Sequence, residues 1–146
     1  MILVGLPGSG KSSLVRARFA GTHDHVSKDL MTTVRDKGGR QVALVEEALR
    51  AGRSVVVDNT NPRVVDRAPL VAAARRHGAR VIAYLLETTR GECLARNRQR
   101  EGRARVPDVA VHVAASRLQP PTREEGFDEV FAVRAAGGTF EVSPRP

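Results

Sequence analysis

Gly5-Leu6-Pro7-Gly8-Ser9-Gly10-Lys11-Ser12, directly behind the apolar run Ile2-Leu3-Val4, decides how the rest of the chain is read. Its spacing, G-x-x-x-x-G-K-[ST] between a short strand and a helix-competent segment from Ser13 to Phe19, is the Walker A pattern. The ligand explains the residue types. Glycines let the backbone turn tightly and aim several N–H groups at one set of phosphate oxygens. The positive end of the following helix adds a favourable field for an anion. Gly5, Gly8, Ser9, Gly10 and Ser13 are therefore expected to surround the phosphates of ATP. Lys11 is expected to reach the β- and γ-phosphates as a point charge, and the Ser12 hydroxyl to join the shell of Mg²⁺.

Outward from this loop, strand and helix patterns alternate. Ile2–Val4 reads as a buried strand, and His23–Ser27 as a second one ending at Lys28-Asp29. A helix is expected from about Arg40 to Ala51, with Val42, Val45 and Leu49 on one face and Gly52 as its stop. Ser54–Val57, β-branched and apolar, suits a central parallel strand that empties into Asp58-Asn59-Thr60-Asn61-Pro62. Pro62 is expected to start a helix to about His77, with Val64, Ala68 and Val71 inward. Arg80–Leu86 is a fourth strand, and Thr89 to Arg100 an amphipathic helix. Another helix runs from after Pro107 to about Leu118, and Glu129–Val133 and Thr139–Val142 close the chain as strands. Such alternation predicts an α/β fold of the P-loop kinase type, a mainly parallel sheet covered by helices on both faces.

At 146 residues, the length matches one domain, expected to span residues 1–146 with a lid at about 96–107. The single Cys93 excludes an internal disulfide and a Cys-rich zinc site, which suits a cytoplasmic setting. No apolar run approaches the roughly 20 residues that span a bilayer, so no membrane partner is expected, and the N-terminus reads as a strand rather than a signal peptide. The formal charge is +8, and only Lys11, Lys28 and Lys37 are lysines, so the excess is carried by arginine. A basic balance favours polyanions such as nucleic acid, although genome composition produces the same bias. Aromatics are few, which argues against an aromatic stacking platform for bases.

In open α/β sheets, ligands sit beyond the carboxyl ends of the strands. The loop at residues 5–12, Lys28-Asp29 and Asp58–Asn61 all follow strands and are expected to meet around the γ-phosphate. Transfer to an alcohol needs a group that accepts the hydroxyl proton and aligns the attacking oxygen, and Asp29 is placed to do so. An Asp there could instead cap a helix ahead of Leu30. Asp58 is expected near the metal or the substrate and Thr60 near the acceptor, though the same run also reads as a turn. Arg96 and Arg100, four apart, would share a helix face and could both point at triphosphate, with Arg100 neutralising charge during transfer. Arg103 and Arg105 read as surface. His23, His25, His77 and His112 show no ligand spacing beyond a weak His-x-His, and read as structural; Cys93 reads as packed and inert.

Together, Gly5–Ser12, Val26-Ser27-Lys28-Asp29, Val57–Pro62, Arg96–Glu101, Val106-Pro107 and Pro121–Asp128 resemble the 5′-kinase domain of polynucleotide kinases, in the family's order and over nearly the whole chain. The resemblance implies transfer of the ATP γ-phosphate to 5′-hydroxyl ends of DNA or RNA. It implies Asp29 as general base, Lys11 and Ser12 on phosphate and Mg²⁺, Arg96 and Arg100 as lid arginines, and Lys28, Thr60 and Arg67 on the acceptor. Lys28 stands where arginine is usual before the base, and Thr32 where some members carry a further arginine. Two other readings stay open: a kinase for a small metabolite on the same scaffold, and an ATP-binding switch protein that transfers nothing.

Overall fold

The computed structural model describes residues 1–146. Eleven helices and strands follow one another as β1 Ile2–Val4, α1 Lys11–Arg18, β2 His23–Val26, α2 Lys37–Arg50, β3 Ser54–Val57, α3 Val64–Arg76, β4 Ile82–Leu86, α4 Arg90–Gln99, α5 Asp108–Arg117, β5 Glu129–Ala136 and β6 Thr139–Pro144. All six strands form one sheet in the order β2-β3-β1-β4-β5-β6. The first five are parallel, and β6 returns antiparallel to β5 through Gly137-Gly138. This is the α/β P-loop kinase fold expected from the alternation.

Period-two alternation assigns each face its cover. Ile2, Val55, Val57, Ala83 and Val130 pack with Val45 and Ala48 of α2 and Leu70, Val71 and Ala74 of α3. Leu3, Val56 and Val133 face the other way, onto Leu14 and Val15 of α1. Leu6, at the head of the Gly-rich loop, packs instead with Cys93 of α4 and Val111 and Ala114 of α5. The third cluster brings α4 and α5 against the Gly-rich loop.

Several boundaries differ from the sequence expectation, each for a local reason. β2 ends at Val26, because the Ser27 side chain accepts a hydrogen bond from the Asp29 N–H at 3.3 Å and starts a short 3₁₀ turn, Lys28–Leu30. α2 begins at Lys37 rather than Arg40. Asp36 caps it by accepting from the Gly39 N–H at 2.9 Å, and a Cβ at residue 39 would collide with that carboxylate. α3 begins at Val64, not Pro62, behind a box in which Asp66 accepts from the Arg63 N–H at 3.0 Å. Its inward stripe is Arg67, Leu70, Val71 and Ala74, whereas Val64 and Ala68 are exposed. The expected stripe was rotated because apolar periodicity passes over an arginine, while an arginine with a carboxylate partner can be buried. β5 and β6 run on to Ala136 and Pro144, extended by their mutual hairpin pairing.

Candidate functional site

Strands β1, β2 and β3 release their chains at the same, carboxyl end of the sheet. The Gly-rich loop leaves β1, the Lys28–Leu30 turn leaves β2 and Asp58 leaves β3. The loop is held by bonds to two neighbouring segments and by one of its own. Its Gly5 N–H donates to the Thr60 carbonyl at 3.1 Å, Ser9 N–H donates to Leu6 O at 3.0 Å, and Thr88 Oγ1 donates to Ser9 O at 2.8 Å. Gly8 has φ +83°, and a Cβ there would lie 2.6 Å from the Cys93 carbonyl. Only glycine satisfies both the left-handed backbone and this approach of α4.

Lys11 is buried in the mouth of the loop, donating to Gly5 O at 3.0 Å, Leu6 O at 2.8 Å and Ser9 Oγ at 3.4 Å. Burial lowers its ammonium from the ordinary 10.5 to about 8; Asp58 and Asp29 pull the other way, and Arg100 adds to the lowering. The charges of Asp29, Asp58 and Arg100 thus all reach Lys11, which is how this structure brings together groups far apart in sequence. Because the free site holds the lysine below its unfolded value, the native state sheds a proton between about pH 8 and 10.5 where the unfolded chain keeps it. Lys11 therefore weighs against folding below pH 8, and that penalty fades as pH rises. A bound polyphosphate favours the charged lysine, so ADP affinity is expected to fall as pH rises through about 8, by up to about tenfold per unit. Titration calorimetry across pH 7–10 checks this, and Lys11→Met should remove the dependence.

Asp58 is buried at 4% exposure and its Oδ2 accepts two hydrogen bonds: from Ser12 Oγ at 2.9 Å and from His25 Nε2 at 2.9 Å. The neighbouring Asn59 ties the β2 turn to β3, since its Oδ1 accepts from the Lys28 N–H at 2.9 Å and its Nδ2 donates to Gln41. The two hard oxygens of Ser12 and Asp58, side by side, fit Mg²⁺, which ordinarily takes one or two protein oxygens and fills its shell with phosphate and water. No cluster of three or more His, Cys, Asp or Glu could hold a metal by itself. Nucleotide oxygens would have to complete the shell.

Asp29 and Lys28 are exposed on the 3₁₀ turn that follows β2. Thr60 is half-buried, with its carbonyl spent on the loop. Ser13, exposed on α1, accepts from Arg16 at 3.3 Å. Arg96 reaches across from α4 to donate to Ser9 O at 3.4 Å. Arg100 corrects the expectation of a shared helix face: α4 ends at Gln99 and Arg100 is extended, donating to Ala104 O at 3.4 Å, yet its charge still acts on Lys11. Between them Asn97, which drew no expectation, is fully buried. It exchanges two hydrogen bonds with the Val106 backbone, at 2.7 and 3.0 Å, and so pins the arginine-rich segment 100–105 as a connection closed back onto α4.

Arg67 is the clear correction. The resemblance places it on the acceptor, but it is fully buried and its guanidinium faces inward. It donates in a fork to Glu125, at 2.8 and 2.9 Å, and to the Asn61 carbonyl at 2.8 Å. Asn61 takes the left-handed backbone at φ 43° and donates to Leu3 O at 2.9 Å. Arg67 thus shapes the Asp58–Pro62 loop from below and cannot touch a polynucleotide in this structure. Cys93 is buried, its thiol pushed up by burial, as expected of a packed cysteine. His23 packs edge-on against Phe19 and His77 sits beside Glu46, whereas His25 touches the site. The period-two spacing puts residues 23 and 25 on one sheet face, but no sequence signal says that this face meets Asp58.

Comparison with known proteins agrees with the geometry. A family model described as AAA domain matches residues 1–121. The chain is 31% identical over 139 residues to the bifunctional polynucleotide phosphatase/kinase of Schizosaccharomyces pombe (strain 972), covering 91% of this chain and 33% of that protein. The chain therefore spans about a third of the length of that curated relative. Among solved structures, Chaetomium thermophilum Kti12 in complex with ADP-AlF3 superposes with a TM-score of 0.74 at 16% identity, over 91% of this chain and 87% of that one. A gluconokinase from Sinorhizobium meliloti 1021 gives 0.65 at 21% identity, over 92% and 81%. Likeness at these identities establishes the shared fold.

Proposed function

The chain belongs to the AAA domain family, and from that premise and the geometry of its mouth we propose that it is an ATP-dependent phosphotransferase acting on polynucleotide 5′-hydroxyl ends. The observation that carries the reading is that Lys11, the Ser12–Asp58 pair and the exposed carboxylate of Asp29 all follow neighbouring parallel strands at one end of the sheet. A buried cation for the phosphates and an open carboxylate for a hydroxyl are the two halves of a kinase site.

In this reading the loop N–H groups and Lys11 hold the β- and γ-phosphates, and Arg96 and Arg100 face the γ-phosphoryl group from α4 and its outgoing loop. Ser12 and Asp58 would hold Mg²⁺, which supplies charge neutralisation on the phosphate oxygens. The acceptor oxygen bonds to the γ-phosphorus as the bond to the β–γ bridging oxygen breaks and ADP leaves. The acceptor proton passes to the Asp29 carboxylate. Charge on the transferring group peaks at the equatorial oxygens, where arginines are most useful.

The polynucleotide acceptor is supported by the named relative and by unpaired cations that stand beside Asp29 and follow it in the chain. Lys28, Arg35, Lys37 and Arg40, in the exposed stretch that begins beside Asp29, make no ion pair. An acceptor bound through about three phosphates should lose about twentyfold in affinity between about 50 and 200 mM salt. The test is transfer of label from γ-labelled ATP and Mg²⁺ to a short 5′-hydroxyl oligonucleotide, with a 5′-phosphate oligonucleotide as control and the acceptor KM followed against salt. Label on the 5′-hydroxyl strand alone, with a salt-dependent KM, is the expected result. No label, or a KM indifferent to salt, would turn the acceptor into a small neutral metabolite.

A further inference from the structure

His25 is the one histidine that touches the site, and nothing in the proposed transfer uses it. It lies on β2, opposite Val56 of β3, with its ring directed to the face covered by α1. There Nε2 lies 2.9 Å from Asp58 Oδ2, the oxygen that also accepts from the Ser12 hydroxyl at 2.9 Å. Facing a carboxylate oxygen, Nε2 is the nitrogen that carries the hydrogen. Three elements that meet only in the folded sheet thus converge on one oxygen atom: β2, the end of β3 and the first turn of α1.

We infer that His25 is a positioning residue for the divalent-cation site, locking the Asp58 carboxylate and through it the Ser12 hydroxyl in the orientation that accepts the metal. The final torsion of an aspartate is intrinsically soft, so two donors on Oδ2 are what orients the plane and keeps Oδ1 clear of hydrogen bonds. The Ser12 hydroxyl, with its hydrogen committed to Oδ2, turns its lone pairs away from Asp58. Losing His25 leaves a nearly buried carboxylate oxygen with a single donor, and the carboxylate turns toward any other partner or toward water. Outer-shell donors of this kind are typically worth about ten- to a hundredfold in metal affinity.

The inference rests on the phosphotransferase reading only as far as its cation site, so the experiment reads metal binding rather than transfer. Mn²⁺ affinity is measured by electron paramagnetic resonance on the full chain with saturating ADP, for the parent, His25→Ala, His25→Gln and Ser12→Ala. His25→Ala is expected to weaken Mn²⁺ by about ten- to a hundredfold. ADP affinity without metal and the melting temperature should hold, since the ring is more than a third exposed at the sheet edge. His25→Gln, whose amide can place an N–H near the same point, should recover most of the loss, which a merely structural role would not predict. Mn²⁺ affinity unchanged in His25→Ala while Ser12→Ala weakens it would overturn the role of His25 alone. Both variants binding Mn²⁺ like the parent would overturn the cation site itself. A loss in His25→Ala not recovered by glutamine, or matched by a fall in melting temperature, would reduce His25 to a packing residue.

Discussion

Asp29→Asn is expected to slow phosphoryl transfer by about a hundred- to ten-thousandfold while leaving ADP and ATP affinity within about twofold. The separation follows from where the carboxylate stands. Asp29 is exposed on the turn after β2 and no side chain pairs with it, so neither the fold nor its turn is tied to a counter-charge. The nucleotide phosphates, by contrast, are to be met by backbone N–H groups and by Lys11, which is held by the Gly5 and Leu6 carbonyls. An asparagine preserves size and the backbone of the 3₁₀ turn but cannot accept the acceptor's proton. Single-turnover kinetics with prebound ATP isolate the chemical step. A variant that transfers at more than about a tenth of the parent rate would remove Asp29 from the reaction.

Glu125→Ala is expected to destabilise the protein by about 3–5 kcal/mol, enough to lower the melting temperature by on the order of 10 °C. The change strands a fully buried guanidinium that now forms a two-pronged bond to that carboxylate. Removing one partner of a buried pair costs far more than the pair itself is worth, because the remaining charge is left without water or a counter-charge. Arg67→Met together with Glu125→Leu should recover most of the loss, since the site then buries apolar surface instead of ions. Urea denaturation of the parent and the two variants reads the difference directly. A cost below about 1 kcal/mol for Glu125→Ala would mean that water reaches the pair. The same variants should also lose nucleotide affinity: Arg67 holds Asn61, and the adjoining Thr60 carbonyl holds Gly5 of the phosphate loop.

These two residues show how unevenly the site was legible. The position of Asp29 could be read from the chain because it follows a strand whose end lies level with those of its parallel neighbours, a rule of topology that needs no side-chain detail. Glu125 and Arg67 could not be read, because their partnership joins α3 to a 3₁₀ turn 58 residues further on. A charged residue in a helix of mixed sequence looks like surface until its partner is known. The rotated face of α3 has the same origin, as has Asn97, whose amide is buried only because Val106 returns beside it.

The amino-acid sequence by itself determined the order of strands and helices, the parallel sheet, the phosphate loop and the identity of Lys11 and Ser12, because each rests on local periodicity or on spacing within one turn. Tertiary structure alone decided which charges meet. It buried Lys11 and so lowered its pKa, withdrew Arg67 into the core, ended α4 before Arg100 and laid His25 against Asp58. Burial and long-range pairing depend on chain segments that are neighbours in space and strangers in sequence, and electrostatic energy is governed by that spatial neighbourhood.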